Sequence, residues 1–587
     1  MAEGRGHGHT IHLLRYLLKE EGRHDLVCSR YSHLVAYFKS VRSTAMVADK
    51  SANDVSDFTI KDNVLIGVQV PLSNEYTSVG KLLLDKMKAK PDFIGQIDAT
   101  TEETYNFAKM TDQMVKCALW LRKQNIKPGD VVAVCTPNNM DSFAPFFASF
   151  CVSAIFTPWN SEMNTREARH FLTLSGAKLV FASEDSVSTL LEAAKLENYD
   201  LKVVVFGNAP NALPFSKVLE GHSTSDVENF QCTPVNDIDD TAAILYSSGT
   251  TGLSKGVQIS HSALLYNLLS AGGLKLDGTP LWFSSYFWIS GVLCTMSCIV
   301  NYNLRIIYPK FEEKILCELA EKYKVTWLFL SPSMANRLLK SGYLKKYDLS
   351  SVKFVCIGGA IFKAESQITL QKQLPQADII QMFGMTELAC VVTSQKPHHK
   401  PGSVGTPIKN VQIKIVELET GNALGPNKKG ELWVKSKTMT KGYYKNPQAT
   451  KETIDAEGWL HTGDLAYYDE NGELYIVDRI KEILKYRGYH VSPTEIENFL
   501  QTHPDVVEAA IVGIPHLEDD EHPLAFVSVV PGSKVTEHEL QKFVADNMTE
   551  RNHLRAGVKF LESLPHTPSG KVCRKDLKAM AKSYQVK

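Results

Sequence analysis

The chain has no surplus of charge of either sign: 64 Lys and Arg stand against 65 Asp and Glu. No overall field therefore draws it to nucleic acid or to an anionic membrane, and binding must be specified by a local site. It also lacks a cysteine framework. The eleven cysteines are scattered and odd in number, with no secretory signal ahead of them, so a reducing compartment is expected and a disulfide-stapled fold is not. Cys294 and Cys298 lie one helical turn apart without a His or a second Cys pair at ligand spacing, so they read as core packing. The sequon Asn547-Met548-Thr549 carries no information without secretion. Internal repeats and low-complexity tracts are absent. Residues 281–300 carry no charge, but Ser and Gly interrupt them and no Lys/Arg flanks orient them. A buried helix or a strand and helix beside an apolar pocket is expected there, not a membrane span.

What is present is enough apolar material for several cores. The chain has 587 residues, 44% hydrophobic and 22% charged, with seven tryptophans. Single cores stop growing at roughly 250–300 residues, so at least two domains follow. Residues 1–75 are the least readable, with His7 and His9 among glycines and then an Arg-bearing, partly amphipathic stretch that Glu20, Glu21 and Asp25 make a poor transit peptide. A poorly ordered extension is expected there. From about Thr104 apolar segments alternate with helical ones, the grammar of an α/β fold. A helix around residues 114–121 precedes a strand at 130–134, and further strands are predicted at 202–206, 243–246, 353–357 and 378–380. Asn471-Gly472 signals a two-residue hairpin turn, which would set Asp464 directly opposite Arg479. Beyond Lys481 a smaller unit is predicted, with strands at 509–512, 524–530 and 558–561 and a helix at 537–547.

The sharpest chemical feature is Tyr246-Ser247-Ser248-Gly249-Thr250-Thr251-Gly252-Leu253-Ser254-Lys255-Gly256, a strand entering a loop of glycines and hydroxyls closed by a lysine. Glycines let backbone N–H groups approach a phosphate, hydroxyls add donors, and Lys255 supplies positive charge. The spacing differs from GxxxxGK[ST], so this is not a P-loop.

With this loop the sequence resembles the adenylate-forming superfamily of acyl-CoA synthetases, 4-coumarate–CoA ligases and beetle luciferases. Further signatures of that family follow in order: Gly358-Gly359-Ala360, Phe383-Gly384-Met385-Thr386-Glu387 and Gly458-Trp459-Leu460-His461-Thr462-Gly463-Asp464. Asp478-Arg479-Ile480-Lys481, Lys485-Tyr486-Arg487-Gly488-Tyr489 and Pro568-Ser569-Gly570-Lys571 complete the series. Only the first seventy to a hundred residues lie outside it. The resemblance implies a large multi-subdomain N-terminal adenylation domain over 76–480 and a small mobile α+β C-terminal domain over 481–587. It implies ATP, Mg2+ and coenzyme A as cofactors and a small-molecule carboxylic acid as partner.

It also implies roles. Lys571 would reach the carboxylate and the α-phosphate, and Glu387, beside Thr386, would help hold Mg2+. The phosphate loop would comprise Ser247, Ser248, Gly249, Thr250, Thr251, Gly252 and Lys255. Gly358, Gly359, Ala360 and Gly384 would let backbone approach adenine, with Phe383 stacking on it or simply packing in the core. Asp464 would accept from the ribose hydroxyls with Arg479 nearby, unless the two are a structural cross-strand ion pair. Lys481 would be a hinge and Lys485 would serve thioester formation; both also read as ordinary solvated charges on a linker. Where many relatives have His-His-Gly-Phe-Gly at the acyl site, this chain reads Phe287-Trp288-Ile289-Ser290-Gly291, with Trp288 in the place of a histidine. Trp288, Gly291, Val292, Ile361, Cys390 and Val391 suggest an apolar pocket.

The expected activity is an acid–CoA ligase for a hydrophobic acid, a fatty acid first among them. A catalytically silent acyl or nucleotide binder, an enzyme loading a carrier protein and a luciferase-like oxygenase are the alternatives. The ending Tyr584-Gln585-Val586-Lys587 is not a peroxisomal Ser-Lys-Leu signal, so cytosol is the expected compartment, with mitochondria open. No pattern speaks to oligomeric state.

Overall fold

Apolar runs such as Val131–Cys135 and Ile155–Trp159 are buried at every position, which requires a sheet covered on both faces. In the computed structural model, which describes residues 57–71, 75–247, 254–269, 278–397, 399–487, 489–566 and 571–584 (backbone only at 390, 490, 583 and 584), they are central parallel strands of a seven-stranded sheet. Its order is Lys255–Ser260, Thr241–Ser247, Ile155–Trp159, Val131–Cys135, Leu179–Ser183, Lys202–Phe206, Leu213–Pro214, with the first strand antiparallel to its neighbour. Val132 and Val134 belong to one core cluster, Val131, Ala133 and Cys135 to another, so the alternation of a strand divides two cores.

A second sheet runs Pro280–Leu281, Trp327–Leu330, Phe354–Ile357, Asp378–Met385, Cys390–Ser394, Thr406–Pro407, parallel through the fourth strand. The uncharged run 281–300 divides into the end of that first strand, a connection and the helix Ile289–Asn301. Cys294 and Cys298 face an apolar cluster with Trp282, Trp327 and Cys356, and burial lifts the Cys298 thiol to about 12, which keeps it protonated. Among the described residues no helix is long and apolar enough to cross a membrane.

The third sheet is antiparallel: Phe58–Lys61, Val64–Gly67, Val411–Val416, Gly430–Ser436, Leu460–Tyr468, Leu474–Arg479. Leu460–Tyr468 alternates buried and half-buried residues throughout, as one covered face demands. The first two strands correct the expectation of a poorly ordered extension up to residue 75. Four-residue strands are too short to show a period in sequence, and their partner lies some 350 residues away, with Leu65 facing Ile413. Residues 1–56 lie outside the described part, His7 and His9 among them.

The hairpin register is right at Asp464 for a reason the sequence hid. Tyr468 pairs with Leu474 and Ala466 with Ile476, one residue short of what a two-residue Asn471-Gly472 loop requires. Asp469 tightens the longer loop by accepting from the N–H groups of Asn471 and Glu473. A bulge between Leu465 and Ala466 then adds the missing residue, and Asp464 does face Arg479.

After Lys481 a small domain forms around the strands Tyr489–Val491, Leu484–Tyr486, Asp520–Val529 and Val506–His516, with Gly557–Phe560 pairing with the long third strand. Helices Pro493–Leu500 and Glu537–Asn547 cover one face, and Arg574–Tyr584 covers the other through Leu577 and Ala581. The large N-terminal and smaller C-terminal α/β parts are as expected.

Candidate active site

The carboxyl ends of parallel strands supply the groups nearest a candidate nucleotide. Gly358, Gly359 and Ala360 follow Phe354–Ile357, and Thr386 and Glu387 follow Asp378–Met385, its parallel neighbour. Gly359 has φ 95°, open to glycine, and it and Ala360 are exposed, so backbone is presented there rather than side chains. Phe383 is half-buried against the core of the antiparallel sheet, with part of its ring accessible. Gly384 sits where the strand register shifts opposite Val391.

Glu387 is 5% exposed in a short 3-10 turn, Thr386–Leu388. Its Oε1 accepts from the Tyr443 hydroxyl at 2.9 Å, and its carbonyl accepts from Thr440 N–H at 2.7 Å. Burial and the Glu387 carboxylate hold the Tyr443 phenol well above its ordinary range, so it remains a donor. Lys255 Nζ stands 4.5 Å over the Tyr443 ring. Tyr443 thereby joins the phosphate-loop lysine to Glu387, a role that sequence inspection missed. Gly442-Tyr443-Tyr444 was its signal, but a neutral residue in a connecting segment drew no notice.

Ser247 pairs with Lys255 at the base of an antiparallel hairpin, so the chain returns as a strand where a P-loop would open a helix. Among the described residues no helix opens directly after Ser247 or before Lys255. Ser248, Gly249, Thr250, Thr251 and Gly252 themselves lie outside the described residues, as do Gly488, Pro568, Ser569 and Gly570.

Asp464 is the electrostatic centre. It is 3% exposed, and its Oδ1 meets Arg479 Nε at 2.7 Å while its other oxygen, Oδ2, has no hydrogen-bond partner. A buried carboxylate oxygen left without a donor costs several times a made hydrogen bond, which marks it for a ligand hydroxyl. Burial raises its pKa to about 6, against the pull of Arg479, Lys571 and the Thr462 hydroxyl. Lys571 lies within electrostatic reach of Arg479, Asp464 and Glu387; burial, then Arg479, lowers its pKa, and the two carboxylates oppose that. Lys571 is itself exposed. Lys571, Glu387, Asp464 and Arg479 are thus brought together from three distant stretches of chain.

What anchors Lys571 is Arg574, three residues on. Its guanidinium pairs bidentately with Glu497, donates to the Ile511 carbonyl at 3.1 Å, and approaches Glu482 at 3.6 Å. Glu482 adjoins Lys481, which is exposed in the 3-10 turn Ile480–Glu482.

The structure does not bring Lys485 to this cluster. It is exposed in the strand Leu484–Tyr486, its N–H donating to Glu521 Oε2 at 3.0 Å. Two of the expected acyl-pocket residues present no lining surface. Val292 is fully buried in the core beneath the first sheet, and Gly291 is buried where a Cβ would come 2.1 Å from the Ser285 carbonyl oxygen. The resemblance at Phe287–Gly291 had suggested this stretch as pocket lining, but the helix Ile289–Asn301 turns both residues into the core. Trp288 itself is half-buried at the N-cap of Ile289–Asn301, edge-on to Phe287 at 4.9 Å, and Phe287 stacks with Tyr246 at 6.1 Å. Ile361 is half-buried, and the Cys390 side chain is outside the described residues.

A buried carboxylate with one open oxygen stands beside two cations and a second carboxylate between the large and small α/β parts, an arrangement suited to a phosphorylated ligand bearing hydroxyls. The family model described as AMP-binding enzyme matches residues 84–444, and that of the AMP-binding enzyme C-terminal domain matches 495–571; the chain belongs to the AMP-binding enzyme family. It is 34% identical over 508 residues to 4-coumarate-CoA ligase 1 of Narcissus pseudonarcissus, covering 82% of this chain and 90% of that one. It is 31% identical over 518 residues to luciferin 4-monooxygenase of Photuris pensylvanica, covering 84% and 93%. The crystal structure of ATP-bound MatB from Rhodopseudomonas palustris superposes with a TM-score of 0.77 at 25% identity, over 86% of this chain and 99% of that one. The chain is of the adenylate-forming CoA-ligase type, and ATP, Mg2+ and coenzyme A are the cofactors of that type.

Proposed function

We propose that this protein is an ATP-dependent acid–CoA ligase that takes a hydrophobic carboxylic acid through an acyl-adenylate. The open Oδ2 of buried Asp464, beside Arg479 and Lys571, carries the reading, since a ribose hydroxyl is the donor that this environment suits. In the first step the substrate carboxylate oxygen bonds to the α-phosphorus of ATP and the bond to the β-phosphate oxygen breaks, releasing pyrophosphate. Lys571 stabilises the charge gathering on the α-phosphate and carboxylate oxygens. Lys255, Ser247 and the loop they bracket take the terminal phosphates. Phe383, Gly384, buried Gly358 and the exposed backbone of Gly359 and Ala360 receive adenine, with Thr386 beside Glu387. Glu387, kept in place by Tyr443, would hold Mg2+, which when bound would supply positive charge to the departing pyrophosphate.

In the second step the thiol of coenzyme A loses its proton and its sulfur bonds to the acyl carbon, expelling AMP. Lys485, remote from Asp464 in this arrangement, acts there after the domain beyond the Lys481 hinge reorients. Among the described residues, polar contacts to that domain include Asp478 Oδ2, which accepts from the Ser492 hydroxyl and from Thr494 N–H at 3.2 Å. Lys363 donates to the Asn498 carbonyl at 2.6 Å, and Lys340 donates to the carbonyls of Val506 and Val507. Burial lowers the Lys363 pKa to about 8. The large domain is proposed to run to residue 480, taking in the strands Phe58–Lys61 and Val64–Gly67 ahead of the expected start at 76, and the small one over 481–587. Lys485→Ala is expected to form acyl-adenylate at a near wild-type rate and to pass it to CoA at least tenfold more slowly. Equal losses in both half-reactions, read by single-turnover quench, would refute the division of labour.

The aromatic group of Trp288, Phe287 and Tyr246 favours an apolar acid, aliphatic or aromatic. Pyrophosphate release with Mg-ATP, with and without CoA, over a panel of fatty acids and 4-coumarate tests the reading. Release stimulated by CoA with thioester as product supports it, whereas ATP binding without turnover across the panel favours a silent binder. The Photuris relative sustains a second reading, an oxygenase acting on the adenylate. Light emission with added luciferin would support it, but Trp288 in place of an imidazole argues against that chemistry.

A further inference from the structure

A second group of metal-ligating side chains stands apart from the nucleotide site, at the end of the hairpin formed by Val506–His516 and Asp520–Val529. His516, Asp519 and His522 each offer one ligand atom, and these atoms all lie within 4.8 Å of one another. Asp519 Oδ2 is 2.8 Å from His522 Nε2 and 3.6 Å from His516 Nδ1, and the two imidazoles stack with centroids 3.9 Å apart. Ligands about 2.1 Å from a tetrahedral ion stand roughly 3.4 Å from each other, so little movement is needed to admit one.

The carboxylate is already oriented for that use. Its other oxygen, Oδ1, accepts from Arg487 Nε at 2.5 Å, and the Asp519 carbonyl accepts from the N–H groups of Arg487 and Glu521 at 3.1 and 2.9 Å. Asp519 is 7% exposed while His516 is exposed, which gives an ion a route in and leaves coordination positions to water. The run Glu518-Asp519-Asp520-Glu521 adds negative potential.

We propose that His516, Asp519 and His522 form a site for a divalent metal ion of the Zn2+ class, open to water at its remaining position. Two imidazoles with one carboxylate suit Zn2+, Co2+ or Ni2+; Mg2+ and Ca2+ prefer oxygen alone. The ion takes Oδ2 and leaves Oδ1 to Arg487, so it clamps the turn that pins the Arg487 backbone. It thereby stiffens Leu484–Tyr486 and Tyr489–Val491, the hairpin bearing Lys485.

Zn2+ itself, titrated into the metal-stripped full chain against a chromophoric chelator, tests this. Full-length protein and a His516→Ala/His522→Ala variant both retain His7 and His9, so binding in the first residues cancels in the comparison. The variant is expected to bind one Zn2+ fewer and to lose the upward shift in Tm that Zn2+ gives the unaltered chain. His516→Ala alone, at an exposed position, should weaken binding roughly tenfold or more. Far-UV circular dichroism without metal establishes that the variants fold. Equal stoichiometry and affinity in the folded variants, or displacement of Zn2+ by excess Mg2+, would overturn the proposal.

Discussion

Lys571→Ala is expected to slow acyl-adenylate formation roughly 10²–10³-fold while transfer from preformed acyl-adenylate to CoA stays near wild type. The first step brings two anions together, and the loss of one positioned donor to the developing charge is felt there. In the proposed division of labour the second step proceeds with the small domain turned and does not use this lysine. The local electrostatics sharpen the expectation. Arg479 remains in the variant, but its guanidinium is engaged by Asp464 at 2.7 Å and by the Thr462 carbonyl at 3.1 Å, so it does not substitute. Substrate KM should change less than kcat, since the interaction is made chiefly in the transition state. Full adenylation in single-turnover assays of the variant would remove Lys571 from this role.

Asp464→Asn carries the second large effect and a pH signature. The nearly isosteric change removes the ionised acceptor proposed for the ribose, and hydrogen bonds to a charged group contribute about 1.5–3 kcal/mol each, so KM for ATP should rise roughly 10–100-fold. In the unaltered enzyme kcat/KM for ATP should fall as pH drops through about 6, where Asp464 takes up its proton. The same shift acts on folding with the opposite sign. A carboxyl whose pKa rises from 3.8 to about 6 on folding binds its proton more tightly in the native state, so its contribution to stability declines as pH rises across that interval. Activity and stability should therefore diverge between pH about 4 and 6, and Asp464→Asn should abolish both trends. An acid limb in the variant matching that of the unaltered enzyme would assign the titration elsewhere.

Both predictions rest on residues that were legible because chemistry confines them to short ordered motifs. The phosphate-loop string, Thr386-Glu387, Asp464, Asp478-Arg479 and Lys571 recur in a fixed order, and order survives where packing detail drifts. Strand positions in the parallel sheets were legible too. A strand covered on both faces must be apolar throughout, and 202–206 proved to be Lys202–Phe206. Other features were beyond local pattern. Tyr443 is neutral and gains meaning only when folding sets it between Lys255 and Glu387. The bulge at Leu465 and Ala466 carries no Gly or Pro to announce it. Val292 and Gly291 lie on a plausible helix face, and which face meets the pocket is decided by the packing of that helix into the core.

By itself the sequence determined the alternation of α and β elements, the family, and the identities of the charged groups, because each depends on residues near one another along the chain. Tertiary structure alone decided that Lys571 meets Asp464, Arg479 and Glu387 while Lys485 does not. Those meetings join stretches some hundred residues apart across two domains, and their distances follow from how the small domain sits on contacts such as Lys363 with Asn498. The same holds for His516, Asp519 and His522. Their spacing matches no ligand motif, and only the hairpin, with Arg487 orienting the carboxylate, brings the three ligand atoms together.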